Sequence, residues 1–189
     1  MNFEEMRAKL QSELKPSRYA HSYRVYEMAM EMAKWYGMPT EKLAVAALLH
    51  DCGRKIEVQN SVQQALVWNL GVDEVERQQP ILLHQKLGAY LAKQEYGIED
   101  EEILKAIASH TTGDKGMSAM AQVVYLADMI EPGRVYDGVE KLRAVAMQDL
   151  RLGMISCYAN TMNYLLRQGL LVHPRCVEGY NELLIQGEK

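Results

Sequence analysis

The sequence predicts an all-α protein, a bundle of helices. Apolar residues recur at spacings of three and four in almost every segment, alternating β-branched runs are scarce, and proline or glycine closes the periodic stretches at helical lengths. No internal repeat or low-complexity tract breaks the pattern.

The first helix covers about residues 2 to 14 and ends before Pro16. Ser17 caps a second, running to Gly37 with His21, Val25, Met28, Met32 and Trp35 as its inner stripe. Thr40 caps a third, in which Leu43 to Leu49 is apolar all round, as suits a helix in the middle of a bundle. That run closes on His50-Asp51-Cys52-Gly53, two polar groups where a buried helix ends. They are costly there unless something binds them. Adjacent side chains diverge by about 100° on a helix, so both can face one ligand only if the helix end unwinds, which Gly53 permits.

Ser61 to Leu70 reads as a shorter helix stopped by Gly71. Pro80 starts another, carrying Ile81, His84, Gly88 and Leu91 on one face and ending near Gly97. Asp100 begins the next, with Ile103, Ile107 and His110 in line. A Thr111-Thr112-Gly113 loop leads to Met117–Glu131, where Ala121, Val124 and Asp128 share a face and Glu131-Pro132-Gly133 forces the stop. Residues 139 to 186 read as two or three further helices, interrupted near Gly169 and at His173-Pro174.

With 189 residues and 48% apolar content, the chain suits one soluble globular domain over residues 1–189. Its formal charge of −4 offers no general attraction to nucleic acid or to an anionic membrane, so a phosphate-bearing ligand needs a local cluster of cations. The three cysteines, Cys52, Cys157 and Cys176, have neither disulfide nor zinc-knuckle spacing, which points to a reducing, cytoplasmic setting. The start of the chain is acidic rather than a basic leader, and no uncharged apolar run reaches the roughly 18 residues of a membrane span.

Four of the five histidines, His21, His50, His84 and His110, lie on or at the end of apolar stripes of four separate helices. One such histidine is ordinarily a core residue bonded to a backbone carbonyl. Four would each need a private partner, whereas one cation satisfies them jointly, and Asp51 and Asp128 supply the charge it needs. Imidazole and carboxylate without thiolate suit iron, manganese or zinc in a site with open positions.

These residues resemble a known family. His21, then His50-Asp51, then Asp128 matches the H...HD...D pattern of HD-domain metal-dependent phosphohydrolases. The blocks Arg18-x-x-His21-Ser22-x-Arg24-Val25, Leu49-His50-Asp51, His84-x-x-x-Gly88-Ala89, His110-Thr111-Thr112-Gly113 and Leu126-Ala127-Asp128-Met129-Ile130-Glu131-Pro132-Gly133-Arg134 look like the bacterial YqeK proteins. The resemblance implies an HD-domain helical bundle with its motif-bearing core at about 17–135 and further helices at 136–189. It also implies iron in the site and symmetrical hydrolysis of diadenosine tetraphosphate to two ADP. One departure stands out: the run after the HD pair is Cys52-Gly53-Arg54-Lys55, so either Arg54 or Lys55 is the cation nearest the phosphates.

His21, His50, Asp51 and Asp128 are thus the expected metal ligands. His84 and His110 either bind a second ion bridged by Asp51 or donate hydrogen bonds to substrate phosphate over a single ion. Asp51, His84 and His110 form the expected catalytic group, with a metal-bound water as nucleophile. Arg134 is the favoured phosphate-binding arginine, because its fork matches two phosphate oxygens. Arg24 reaches phosphate or pairs with a carboxylate, Thr111 and Thr112 offer hydroxyl and amide donors, and His173 borders the adenine pocket or lies on the surface. Other nucleotides as substrate, and a nucleotide-binding module without turnover, are the alternatives. The remaining helices leave room for a homodimer contact.

Overall fold

A computed structural model describes residues 1–187. Eleven α-helices and no strands are found among the described residues. They are α1 (Phe3–Glu13), α2 (Pro16–Tyr36), α3 (Glu41–Leu49), α4 (Val58–Val67), α5 (Glu74–Gln78), α6 (His84–Tyr96), α7 (Glu101–Ser109), α8 (Ala119–Ile130), α9 (Val139–Gln148), α10 (Leu150–Arg167) and α11 (Pro174–Gln186). Short 3-10 turns at Cys52–Lys55 and Pro80–Leu83 precede α4 and α6.

α3 is the central helix. It packs against α1, α2, α7 and α8, and Leu43, Ala46, Ala47, Leu48 and Leu49 are wholly buried. Each fully buried leucine contributes about 1.5–3 kcal/mol relative to exposure, so nine residues of weak intrinsic amphipathicity are held by their surroundings. α6 lies on α7 and on the Cys52–Lys55 turn, while α10 packs on α8, α9 and α11. One continuous apolar cluster runs from Met6 to Leu183, and a small satellite of Ala65, Leu83 and Leu87 sits under α4.

The helical reading holds throughout, with local differences. Pro16 occupies the first turn of α2 with Lys15 at its cap, so Ser17 lies inside the helix and caps nothing. Trp35 is 65% exposed. The inner line of α2 runs through Val25, Ala29, Met32 and Tyr36, whose hydroxyl donates to the Ala146 carbonyl, and Trp35 falls a third of a turn away from it. Thr40 makes no side-chain cap. Ile81 lies in the 3-10 turn and is 41% exposed. α5 lies outside the helices that apolar periodicity marks, and its signal is the capping-box sequence Asp73-Glu74-Val75-Glu76. Asp73 accepts from the Glu76 amide at 2.9 Å, and Glu76 accepts from the Asp73 amide at 2.9 Å.

The helix does loosen at the His-Asp pair: His50 keeps helical angles, and Asp51 moves to φ −99°, ψ 11°. Gly53 serves a purpose other than unwinding. A Cβ there would lie 2.1 Å from the His84 carbonyl oxygen and 2.7 Å from the Gly88 nitrogen, so only glycine lets the turn after Asp51 touch the start of α6. Gly53→Ala should therefore destabilise the protein by roughly 1–3 kcal/mol or more. Thermal unfolding followed by circular dichroism checks this, and an unchanged melting temperature would refute the contact.

Candidate metal centre

His50 directly follows α3 and His110 directly follows α7, both with helical backbone angles, and His84 opens α6. In all three, Nδ1 meets the carbonyl three residues earlier, at 2.7 Å for His50 and Ala47, 2.5 Å for His84 and Ile81, and 2.7 Å for His110 and Ile107. Carbonyls in a terminal turn lack an intrahelical donor. The imidazole Nδ1–H supplies one, and that bond leaves Nε2 with a lone pair aimed away from the helix end.

Those lone pairs converge. Nε2 of His84 and Nε2 of His110 are 3.0 Å apart, and they lie 3.3 and 3.6 Å from Oδ1 of Asp51. Nε2 of His21 is 3.0 Å from Oδ1 of Asp128, and Nε2 of His50 is 4.0 Å from the same oxygen. The His50 ring is wholly buried, and its Nε2 has no hydrogen-bond partner. A bare buried nitrogen costs about 1–3 kcal/mol, and facing acceptors repel one another. A cation relieves both penalties, so these residues fit a metal. Within this cluster, ligand atoms lie within 4.8 Å of one another in three overlapping groups: His21, His50 and Asp51; His50, His110 and Asp128; and Asp51, His84 and His110. Asp51 belongs to two of them.

The protonation states of His50, His84, Asp51 and Asp128 agree with ligation, whereas Asp128 and Glu131 outweigh burial at His21 and raise its pKa, so a cation there displaces a proton. Burial holds the His50 imidazole neutral, with its pKa lowered to about 4. Burial and the neighbouring His110 push His84 down as well. Burial opposes charge on Asp51 and Asp128, yet the surrounding imidazoles, with Arg54 beside Asp51 and Arg134 beside Asp128, outweigh it and keep both carboxylates ionised. Neutral imidazole and ionised carboxylate are the forms that bind metal. Cys52 contributes nothing of this kind: burial pushes its thiol pKa far up, and Sγ lies 3.2 Å from the Gly88 carbonyl.

His21 differs from the other histidines because it sits inside α2, where backbone carbonyls are already used. Its Nδ1 meets Oε1 of Glu131 at 3.0 Å instead. Glu131 is 1% exposed and is held by Arg24 Nε at 2.6 Å and by the Gly133 amide at 2.5 Å. Burial works against its charge, but Arg24, His21 and the Gly133 amide bring its pKa down to about 2. Gly133 leaves room for this arrangement, since a Cβ would lie 2.6 Å from the Arg24 guanidinium and would move that side chain from its place on Glu131. Arg143 of α9 closes the arrangement by donating to the carbonyls of Ile130, Glu131 and Arg134 at 2.8, 2.9 and 3.0 Å. In the sequence Glu131 reads only as a helix stop. Its later neighbour Gly133 and the basic Arg24 become a signal only once α2 and α8 are known to touch.

The other predicted site residues divide. Arg54 Nε lies 3.1 Å from Asp51 Oδ1, and Arg18 Nη1 lies 3.6 Å from Oδ2. Arg134 donates to the Asp128 carbonyl at 2.7 Å and to its carboxylate. The Thr111 hydroxyl is 2.9 Å from His84 Nε2. The backbone amides of Thr111 and Thr112 are occupied by Gln85 Oε1 at 3.1 and 3.2 Å, and the Thr112 hydroxyl is buried against Gln85 and the Gly113 carbonyl. Arg24 is committed to Glu131. Lys55 turns away to Glu95 at 2.5 Å and Glu13 at 3.3 Å, which leaves Arg54 as the cation beside Asp51. His173 is buried, not on the surface. Nε2 meets Asp73 Oδ2 at 2.9 Å, and Nδ1 accepts from the Arg175 amide, capping α11.

The HD domain family matches residues 18–133. A protein of Halalkalibacterium halodurans named "Bis(5'-nucleosyl)-tetraphosphatase, symmetrical" is 38% identical, over 89% of this chain and 90% of that one. A Bacillus subtilis protein of the same name is 35% identical, over 97% of this chain and 98% of its own length. The crystal structure of a "predicted HD superfamily hydrolase involved in NAD metabolism" from Clostridium acetobutylicum superposes with a TM-score of 0.93, at 33% identity and over 98% of both chains.

Glu131→Gln keeps an acceptor for His21 but removes the charge that makes the imidazole a stronger donor to a cation. Metal affinity should fall by roughly 10–100-fold, as is usual for such supporting carboxylates. Calorimetric titration of the metal-free protein with Fe(II) or Mn(II) measures this, and equal affinity in the two proteins would refute the role.

Proposed function

The chain belongs to the HD domain family, and we propose that it hydrolyses diadenosine tetraphosphate symmetrically, taking up one water and releasing two ADP. The gathering of His21, His50, Asp51, His84, His110 and Asp128 in one buried cluster of overlapping groups carries this reading. The names of the relatives supply the substrate. We assign iron to the site, with manganese or zinc as alternatives. His21, His50, Asp51 and Asp128 would hold the metal, and His84 and His110, grouped with Asp51, would hold a second ion or the substrate phosphate. When bound, such ions lower the pKa of water and offset phosphate charge.

The chain's own residues do the rest. Asp51 and the imidazoles of His84 and His110 set the position at which water meets the phosphorus of the second phosphate. A P–O bond forms there as the anhydride P–O bond to the departing ADP breaks. Arg134 and Arg54, each already beside a carboxylate of the cluster, present guanidinium charge to the phosphate oxygens. The Thr111 hydroxyl donates at the edge of the cluster. Burial of the histidines keeps bulk water from competing for their lone pairs.

Among the described residues no helix is long and apolar enough to cross a membrane. We place the enzyme in the cytoplasm, where its three buried free thiols persist, as one domain over residues 1–189. We propose a homodimer as its assembly.

Product analysis tests the reading. Metal-loaded protein should convert diadenosine tetraphosphate to ADP alone, and Asp51→Ala should lower kcat by on the order of a thousandfold. Formation of AMP with ATP would overturn symmetrical cleavage. Equal rates in wild type and Asp51→Ala would point to a binding module, and turnover confined to another nucleotide would replace the substrate.

A further inference from the structure

A cleft of about 680 Å³ opens between the segment that follows α8 and the C-terminal half of α10. Arg134, Tyr136, Asn160, Thr161, Asn163 and Tyr164 are among the residues that line it. We propose that this cleft binds one nucleoside of the substrate, a purine base with its ribose, while Arg134 holds the phosphate that connects it to the metal centre. The proposal rests on the hydrolase reading above and specifies where one half of that substrate lies.

Arg134 makes the cleft and the metal cluster continuous. Its Nε and Nη2 are fixed on Asp128, and Nη1 has no acceptor within the chain among the described residues. The guanidinium therefore faces both ways, bonded to a cluster carboxylate on one side and lining the cleft on the other. A phosphate at that free edge lies between the cluster and the cleft, where the chain of a dinucleoside polyphosphate must pass.

The lining is suited to a base rather than to phosphate alone. The volume falls in the range of small-molecule sites. Asn160 and Asn163 bring amides, each with donor and acceptor side by side, the pairing that reads the N6 and N7 edge of adenine. Tyr136 is immobilised by its hydroxyl on the Met129 carbonyl at 2.8 Å, so its ring is a fixed wall. Tyr164 is 60% exposed, a large aromatic surface left to solvent unless a base stacks on it. Apart from Arg134, none of these residues belongs to a motif of the sequence.

Tyr164→Ala and Asn163→Ala alter exposed positions on α10, and circular dichroism confirms that each variant folds. Calorimetry on the metal-loaded proteins should show ADP affinity falling about tenfold in each variant, with affinity for inorganic pyrophosphate unchanged. KM for diadenosine tetraphosphate should rise by a similar factor. Unchanged ADP affinity, or equal losses for ADP and pyrophosphate, would overturn the nucleoside site. Wild-type protein that binds ADP through this cleft without cleaving the tetraphosphate would leave the site standing and remove the hydrolase reading. Symmetrical cleavage with variants indifferent to ADP would do the reverse.

Discussion

Four imidazole nitrogens and two carboxylates occupy a volume in which nothing on the protein can donate to all of them. His84 and His110 face each other across 3.0 Å, both have Nδ1 engaged by a backbone carbonyl, and His50 Nε2 has no partner. Such a set is electrostatically incomplete, and positive charge at its centre is what completes it. The rest of the architecture keeps these acceptors together. Helix ends place the rings, the bare backbone of Gly53 lets two of those ends touch, and the apolar helix α3 fills the interior behind them.

The charge balance around the cluster is distributed outward in layers. Asp51 meets Arg54 and Arg18, and Asp128 meets Arg134. Glu131, one step further from the centre, meets Arg24. These ion pairs are partly buried, where Coulomb attraction is screened less than at an open surface. They let a chain of net charge −4 present guanidinium groups beside its metal-binding carboxylates. The overall sign of the protein therefore says little about the sign of the field an anionic substrate meets at the site.

The C-terminal helices are coupled to the chemistry although they carry no ligand. Arg143 of α9 ties down the carbonyls of the turn at Ile130–Arg134, the same turn that presents Glu131 to His21 and Arg134 to Asp128. α10 packs along α8 and supplies the far wall of the cleft. The position of Asp128 thus depends on helices that follow it in the chain.

The sequence alone determined that the chain is helical, where most helices lie, and that His21, His50, His84, His110, Asp51 and Asp128 belong together. Local signals carry that information: apolar periodicity, prolines and glycines at helix ends, and polar residues interrupting apolar stripes. What it left open depends on pairs far apart in the chain. Glu131 supports His21 across 110 positions, Gln85 occupies the amides of Thr111 and Thr112, and Lys55 is drawn to Glu13 and Glu95 instead of toward phosphate. His173 is buried by a bond to Asp73, and Gly53 is needed for contact with α6 rather than for its backbone freedom. Residues of one type at equivalent helix ends acquire different roles once the helices pack, because a side chain's partner is set by tertiary distance and not by its neighbours in sequence.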